Sequence, residues 1–116
     1  MSDIQKLTKS ILKFRNERNW KQFHNPKNMA IGLALEAAEV LEHFQWKNER
    51  EMEEYIKIHK KDIGEELSDV LYWVLLMSYD LRIDLVKAFN KKMIKNAQKY
   101  PVKEARGRHT KYNEDQ

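Results

Sequence analysis

Gly32-Leu-Ala-Leu-Glu36-Ala-Ala-Glu39-Val-Leu-Glu-His-Phe44-Gln45-Trp46 decides the fold, read together with Asp62-Ile-Gly-Glu-Glu66-Leu-Ser-Asp69-Val-Leu-Tyr-Trp73-Val-Leu-Leu-Met77. Each stretch carries apolar residues around most of a helical circumference, which marks a helix enclosed on several sides. Each also sets two carboxylates three positions apart. On a helix such a pair shares one face, about 60° apart around the axis and about 4.5 Å apart along it. A buried carboxylate is costly unless it is paired, hydrogen-bonded or bound to a cation. If the two helices pack with their pairs facing, Glu36, Glu39, Glu66 and Asp69 form a cage of hard oxygen ligands suited to Mg²⁺, with Mn²⁺ as the other candidate.

The rest of the composition agrees with an all-α chain. Three Gly and two Pro are too few for a protein of many tight turns. A length of 116 residues suits one domain with one core. The absence of cysteine removes disulfides and thiolate chemistry and is compatible with a cytoplasmic location. The N-terminal residues lack the apolar core of a signal peptide. The longest apolar run, Val70 to Met77, falls far short of the roughly 20 residues that span a bilayer, so no membrane partner is expected. The formal charge of +4 is uneven: Lys87, Lys91, Lys92, Lys95 and Lys99 cluster late in the chain, while Glu36 to Asp69 is rich in acids. Cations beside acid-held metal suit a phosphate-bearing substrate.

Taken in order, apolar residues Ile4, Leu7, Ile11, Leu12 and Phe14 give an amphipathic first helix over Asp3 to Asn19, capped by Ser2 or Asp3. Trp20 to Asn28 is a connection dense in aromatic and amide groups. Asn25 followed by Pro26 starts the second helix, expected to run to about Gln45. Lys47 to Lys61 is polar and predicts a short surface helix, with His59 as a surface histidine and His43 near the carboxylate face or its rim. Asp62, with Glu65 three positions on, predicts a fresh helix start running to about Tyr79. Asp84 caps a last long helix over Leu85 to Lys99, ended by Pro101. Residues 102–116 read as a polar tail, disordered when free. The second helix and the Asp62 helix are apolar on more faces than a small bundle covers, which predicts a homodimer or homotetramer.

Two Glu/Asp-x-x-Glu/Asp pairs separated by twenty-six residues resemble the signature of the all-α nucleoside triphosphate pyrophosphohydrolases, the MazG-like superfamily. Phe23-His24-Asn25-Pro26-Lys27-Asn28, Phe44-Gln45-Trp46, Glu65-Glu66-Leu67-Ser68-Asp69-Val70-Leu71 and Lys92-Met93-x-x-Asn96-x-x-x-Tyr100-Pro101 are similar to its dCTP pyrophosphatase branch. The resemblance covers about Ile4 to Pro101 and implies a helical bundle of four to five helices in an oligomer, with residues 1–101 as its domain. It also implies cleavage of a (deoxy)nucleoside triphosphate to the monophosphate and pyrophosphate with Mg²⁺. Glu36, Glu39, Glu66 and Asp69 would bind the metal. Trp20, His24 and Trp46 would form the nucleobase pocket, with Trp73 beside them; Lys92, Asn96 and Tyr100 would meet phosphate or sugar. Glu39 would act as general base, and Lys92 would stabilise the leaving group.

Other substrates fit the same fold: dUTP, nucleoside triphosphates in general, or phosphoribosyl-ATP. A reading of a different class is a non-catalytic helical adaptor or nucleic-acid-binding module whose last helix tracks a backbone. That reading leaves four enclosed acids without a purpose.

Overall fold

The structure, a computed structural model, is described here for residues 1–108. Among these residues the chain forms five α-helices and one turn of 3₁₀ helix, and no strand: α1 (Asp3–Glu17), the 3₁₀ turn (Lys21–Phe23), α2 (Pro26–Glu42), α3 (Glu49–Asp80), α4 (Leu85–Lys99) and α5 (Val102–Ala105). It divides into two units, Met1–Arg82 and a second that begins at Ile83. No helix of the described residues is long and apolar enough to cross a membrane.

Helix starts follow local chemistry. The first turn of a helix leaves four N–H groups without intrahelical partners, and a short polar side chain ahead of it satisfies one of them. Ser2 does this for α1: the Gln5 N–H donates to Ser2 Oγ at 3.2 Å, and the Ser2 N–H donates to Gln5 Oε1 at 2.9 Å. Asn25 Oδ1 accepts from the Asn28 N–H at 2.8 Å, with Pro26 in the first helical position. Asp84 Oδ1 accepts from the Lys87 N–H at 3.1 Å to start α4. Asn19 ends the first helical segment in the left-handed region, at φ 55°. That reversal turns the chain into the 3₁₀ turn and brings Trp20 and His24 back alongside α1.

The helix from Asp62 is the main departure from expectation. Asn48 and Glu51 form a reciprocal cap, at 2.9 and 3.1 Å, and the helix they start runs on to Asp80. Glu, Lys and Met are good helix formers, so the polar stretch continues where a break was expected. It bends instead of ending: His59 alone leaves helical geometry, at φ −110° and ψ 19°. Asp62 caps nothing; its carboxylate meets His59 Nδ1 at 3.2 Å. Helix α2 stops at Glu42, and residues 43–46 follow as turns.

Within the first unit, α3 is the central element, packed by both α1 and α2. Met29 of α2 and Leu75 and Leu76 of α3 are its fully buried apolar side chains among the described residues. Each such burial contributes about 1.5–3 kcal/mol. Arg15 is buried with them and reaches from α1 to Asp80 at the far end of α3, Nη1 to Oδ2 at 2.7 Å and Nη2 to Oδ1 at 2.9 Å. Many large apolar side chains stay exposed, including Leu35, Leu41 and Trp46 from α2 and the turns after it, and Leu67 and Leu71 of α3. In the second unit, Phe89, Met93 and Ile94 of α4 are exposed as well. Val102–Ala105 adds one short helix beyond Pro101, and a turn follows at residues 106–107; residues 109–116 of the expected tail lie outside the described residues.

Candidate active site

Packing of α2 on α3 brings the carboxylates of Glu36, Glu39 and Glu66 together, each offering an oxygen within 4.8 Å of the others. One turn along each helix separates the pairs, so the register of a single helix contact is enough to assemble the cluster. Asp69 stands one turn further along α3 and, with Glu36, borders an adjacent cavity. Its charge still acts on both Glu36 and Glu66.

Electrostatics shows the cost of this arrangement. Glu66 is pushed up to about 7, first by a hydrogen bond shared with Glu39, then by desolvation and by the negative charges of Glu39, Glu36 and Asp69. Glu36 is also raised, chiefly by burial, then by Glu39 and Asp69. Glu36 Oε2 is buried with no hydrogen-bond partner. Crowded like charges, an orphaned carboxylate oxygen and an all-oxygen donor set fit a hard divalent cation such as Mg²⁺ or Mn²⁺. Among the described residues His43 is in ion-pair range of the cluster, its Nε2 4.0 Å from Glu66 Oε1, while its Nδ1 bonds the Tyr55 hydroxyl at 2.5 Å.

Beside the acids opens a cavity of about 540 Å³, lined by Ser10, Ile11, Phe14, Trp20, His24, Glu36, Asp69, Tyr72 and Trp73. This lies within the range of small-molecule sites. Its aromatic side chains lock edge to face: Phe14 against Trp20 with ring centres 5.6 Å apart, Phe14 against Tyr72 at 6.2 Å, Tyr72 against Trp73 at 5.2 Å, and His24 against Trp73 at 5.5 Å. Such contacts fix ring orientation as well as burying area. Burial, reinforced by the Arg15 guanidinium and opposed by Asp80, lowers the His24 pKa, so its imidazole is neutral near pH 7. Its Nδ1 is buried without a hydrogen-bond partner.

Of the residues expected from sequence, Trp20, His24, Trp73, Glu36 and Asp69 meet at this cavity, and Glu39 and Glu66 complete the acid cluster beside it. Trp46 is 85% exposed and is not part of the cavity wall. Lys92 and Asn96 are on α4 and Tyr100 caps its C-terminus, in the second unit. Sequence reading missed Ser10, Ile11, Phe14 and Tyr72. The first three have the spacing of one face of α1, which in sequence is indistinguishable from a core-facing stripe.

The family model described as MazG-like matches residues 31–114. The chain is 36% identical to dCTP pyrophosphatase 1 of Rattus norvegicus over 98% of its own length and 66% of that protein's. The human dCTP pyrophosphatase 1 shows the same identity and coverage. The chain thus spans just under two thirds of the length of these relatives. A crystal structure of a pyrophosphatase from Archaeoglobus fulgidus superposes with a TM-score of 0.82 at 35% identity, covering 87% of this chain and 94% of that one.

Proposed function

Because the chain belongs to the MazG-like family, we propose that it is a nucleoside triphosphate pyrophosphohydrolase acting on dCTP or a base-modified dCTP, releasing the monophosphate and pyrophosphate. The observation that carries this reading is an acid cluster holding an orphaned buried Glu36 oxygen, set against an aromatic cavity that Glu36 also lines. One wall binds a flat, partly polar group and the neighbouring acids await a cation. A nucleoside triphosphate with its metal has both parts.

Glu36, Glu39, Glu66 and Asp69 would hold Mg²⁺ or Mn²⁺. A divalent cation bound there supplies charge neutralisation for the triphosphate oxygens. The base inserts among Trp20, His24 and Trp73, where aromatic faces supply burial and neutral His24 is a polar group able to discriminate between bases. Trp46, Asn96 and Tyr100 are further proposed substrate contacts. Water attacks the α-phosphorus, the bond to the bridging oxygen breaks, and pyrophosphate leaves. Glu39 takes the proton from the attacking water; its carboxylate is exposed to solvent and lies between those of Glu36 and Glu66 in the chain of shared interactions. Lys92 steadies the charge that develops on pyrophosphate. The many exposed apolar side chains support assembly into a homodimer or homotetramer. Residues 1–101 would constitute the domain, working in the cytoplasm on the nucleotide pool.

The test is pyrophosphate release from the four dNTPs, dUTP, the ribonucleotides, phosphoribosyl-ATP and a 5-modified dCTP, with Mg²⁺ and with chelator. Metal-dependent release confined to cytosine nucleotides is expected. Release from every triphosphate would keep the reaction and remove the base preference. Release from none of the panel would overturn the enzymatic reading.

A further inference from the structure

Gly32 lies on α2, one turn before Glu36, where that helix faces Trp73 of α3. A Cβ built at Gly32 would meet the Trp73 indole at 2.7 Å from Cε2, 2.8 Å from Cζ2 and 3.0 Å from Cδ2. Ordinary carbon contacts are about 3.5–4.0 Å, so the indole sits in space that any other residue would fill. The atoms involved belong to the fused ring, so no flexible end can swing aside. Trp73 is also boxed by His24 at 5.5 Å and Tyr72 at 5.2 Å, both edge to face. The open direction left to it is the cavity that it lines with those two residues.

We infer that Gly32 is a specificity-determining position: by letting Trp73 sink against α2 it sets the depth of the cavity, and that depth limits the size of the substituent a bound base can carry. This rests on the nucleotide reading of the cavity and adds to it the residue that sets the size limit. Gly32 touches no substrate itself; it acts through Trp73.

The experiment measures the affinity of the Mg²⁺ complexes of uncleavable α,β-imido dCTP and its 5-methyl and 5-propynyl derivatives by calorimetry. The wild type, Gly32→Ala, Trp73→Phe and the double variant are compared. Gly32→Ala is expected to weaken the 5-propynyl analogue by about tenfold or more, the scale on which one misfitting methylene is felt in an apolar pocket. The loss for dCTP itself is expected to be several times smaller. Trp73→Phe, which removes the obstructing ring while leaving Gly32 in place, shifts preference toward the larger base. Combining it with Gly32→Ala restores most of the lost binding. Equal losses for all three analogues in Gly32→Ala, or no rescue in the double variant, overturns the inference. Trp73→Phe alone decides the matter if Gly32→Ala does not fold: an unchanged order of affinities refutes it. Wild-type protein that binds none of the three would instead refute the nucleotide reading beneath it.

Discussion

Two groups of charged residues stand at different places in the first unit, and they are opposites in design. At the Arg15 end, one guanidinium meets one carboxylate in a two-point pair, 2.7 and 2.9 Å, with Arg15 1% exposed. At the Glu36 end, three carboxylates converge with a fourth nearby, and a histidine 4.0 Å from Glu66 is the only basic side chain in ion-pair range of them among the described residues. The first has its charges balanced within the chain, although Arg15 Nε is buried without a hydrogen-bond partner. The second is complete only with something added. Buried charge balanced internally reads as structure, whereas charge left in excess reads as a binding site.

The comparison breaks most sharply by substitution. Glu39→Gln and Glu66→Gln each remove a proposed metal ligand and should lower turnover by more than about a hundredfold, since loss even of a partner behind a ligand costs 10–100-fold. Metal-free stability should stay level or rise, because a like charge has been deleted. Arg15→Ala should do the reverse. It strands Asp80 without its partner, and breaking a buried pair costs about 3–5 kcal/mol. Chemical denaturation with and without Mg²⁺, alongside pyrophosphate release, reads both effects. An acid-cluster variant that unfolds but keeps turnover per folded molecule would erase the distinction.

The two clusters were not equally legible. Glu36, Glu39, Glu66 and Asp69 are visible because helix geometry alone places residues three apart on one face, and only the facing of α2 and α3 remained to be found. Arg15 and Asp80 are 65 positions apart. Nothing local to either announces the other, and an arginine near the end of an amphipathic helix reads as solvated. The helix starts at Ser2, Asn25 and Asp84 were legible for the reason the carboxylates were: a cap is a contact over three residues. The expected start at Asp62 failed because a capping pattern inside good helix formers does not by itself stop the preceding helix. The cavity wall was half legible, the Trp20 to His24 segment through its odd composition and the α1 face not at all.

A titration sharpens the contrast next. Glu66 ordinarily ionises near 4.5 and is raised to about 7 in the folded chain, with hydrogen bonding to Glu39 as the leading cause. The folded state therefore holds more protons than the unfolded one between these values. Stability from this group is fully present below about 4.5 and is lost as pH rises through about 7. Metal-free protein should lose melting temperature across that window relative to Glu66→Gln. Mg²⁺ bound at the acids would take the place of the proton, so its stabilising effect should grow as pH passes 7. Parallel curves for wild type and variant would show that the acids do not strain one another.

The smallest effect expected is at the boundary between the two kinds of cluster. His43 touches the acids without neutralising them: its Nε2 is 4.0 Å from Glu66, beyond hydrogen-bond range, and its Nδ1 is tied to Tyr55 on the N-terminal half of α3. Tyr55 in turn stacks on His59, the residue at the bend, with ring centres 4.2 Å apart. The Tyr55 contact orients the ring, and the ring limits where the Glu66 carboxylate can go. If the acids owed their stability to His43, removing it would resemble Arg15→Ala, with a large loss of fold. If they owe it to a cation, His43→Gln should leave the metal-free melting temperature nearly unchanged and weaken Mg²⁺ by about tenfold or less. Tyr55→Phe, which keeps the ring and deletes the hydroxyl, should give a weaker version of the same change. Calorimetric Mg²⁺ titrations of both variants separate the two, and a collapse of the fold in His43→Gln would place this cluster with the self-sufficient kind.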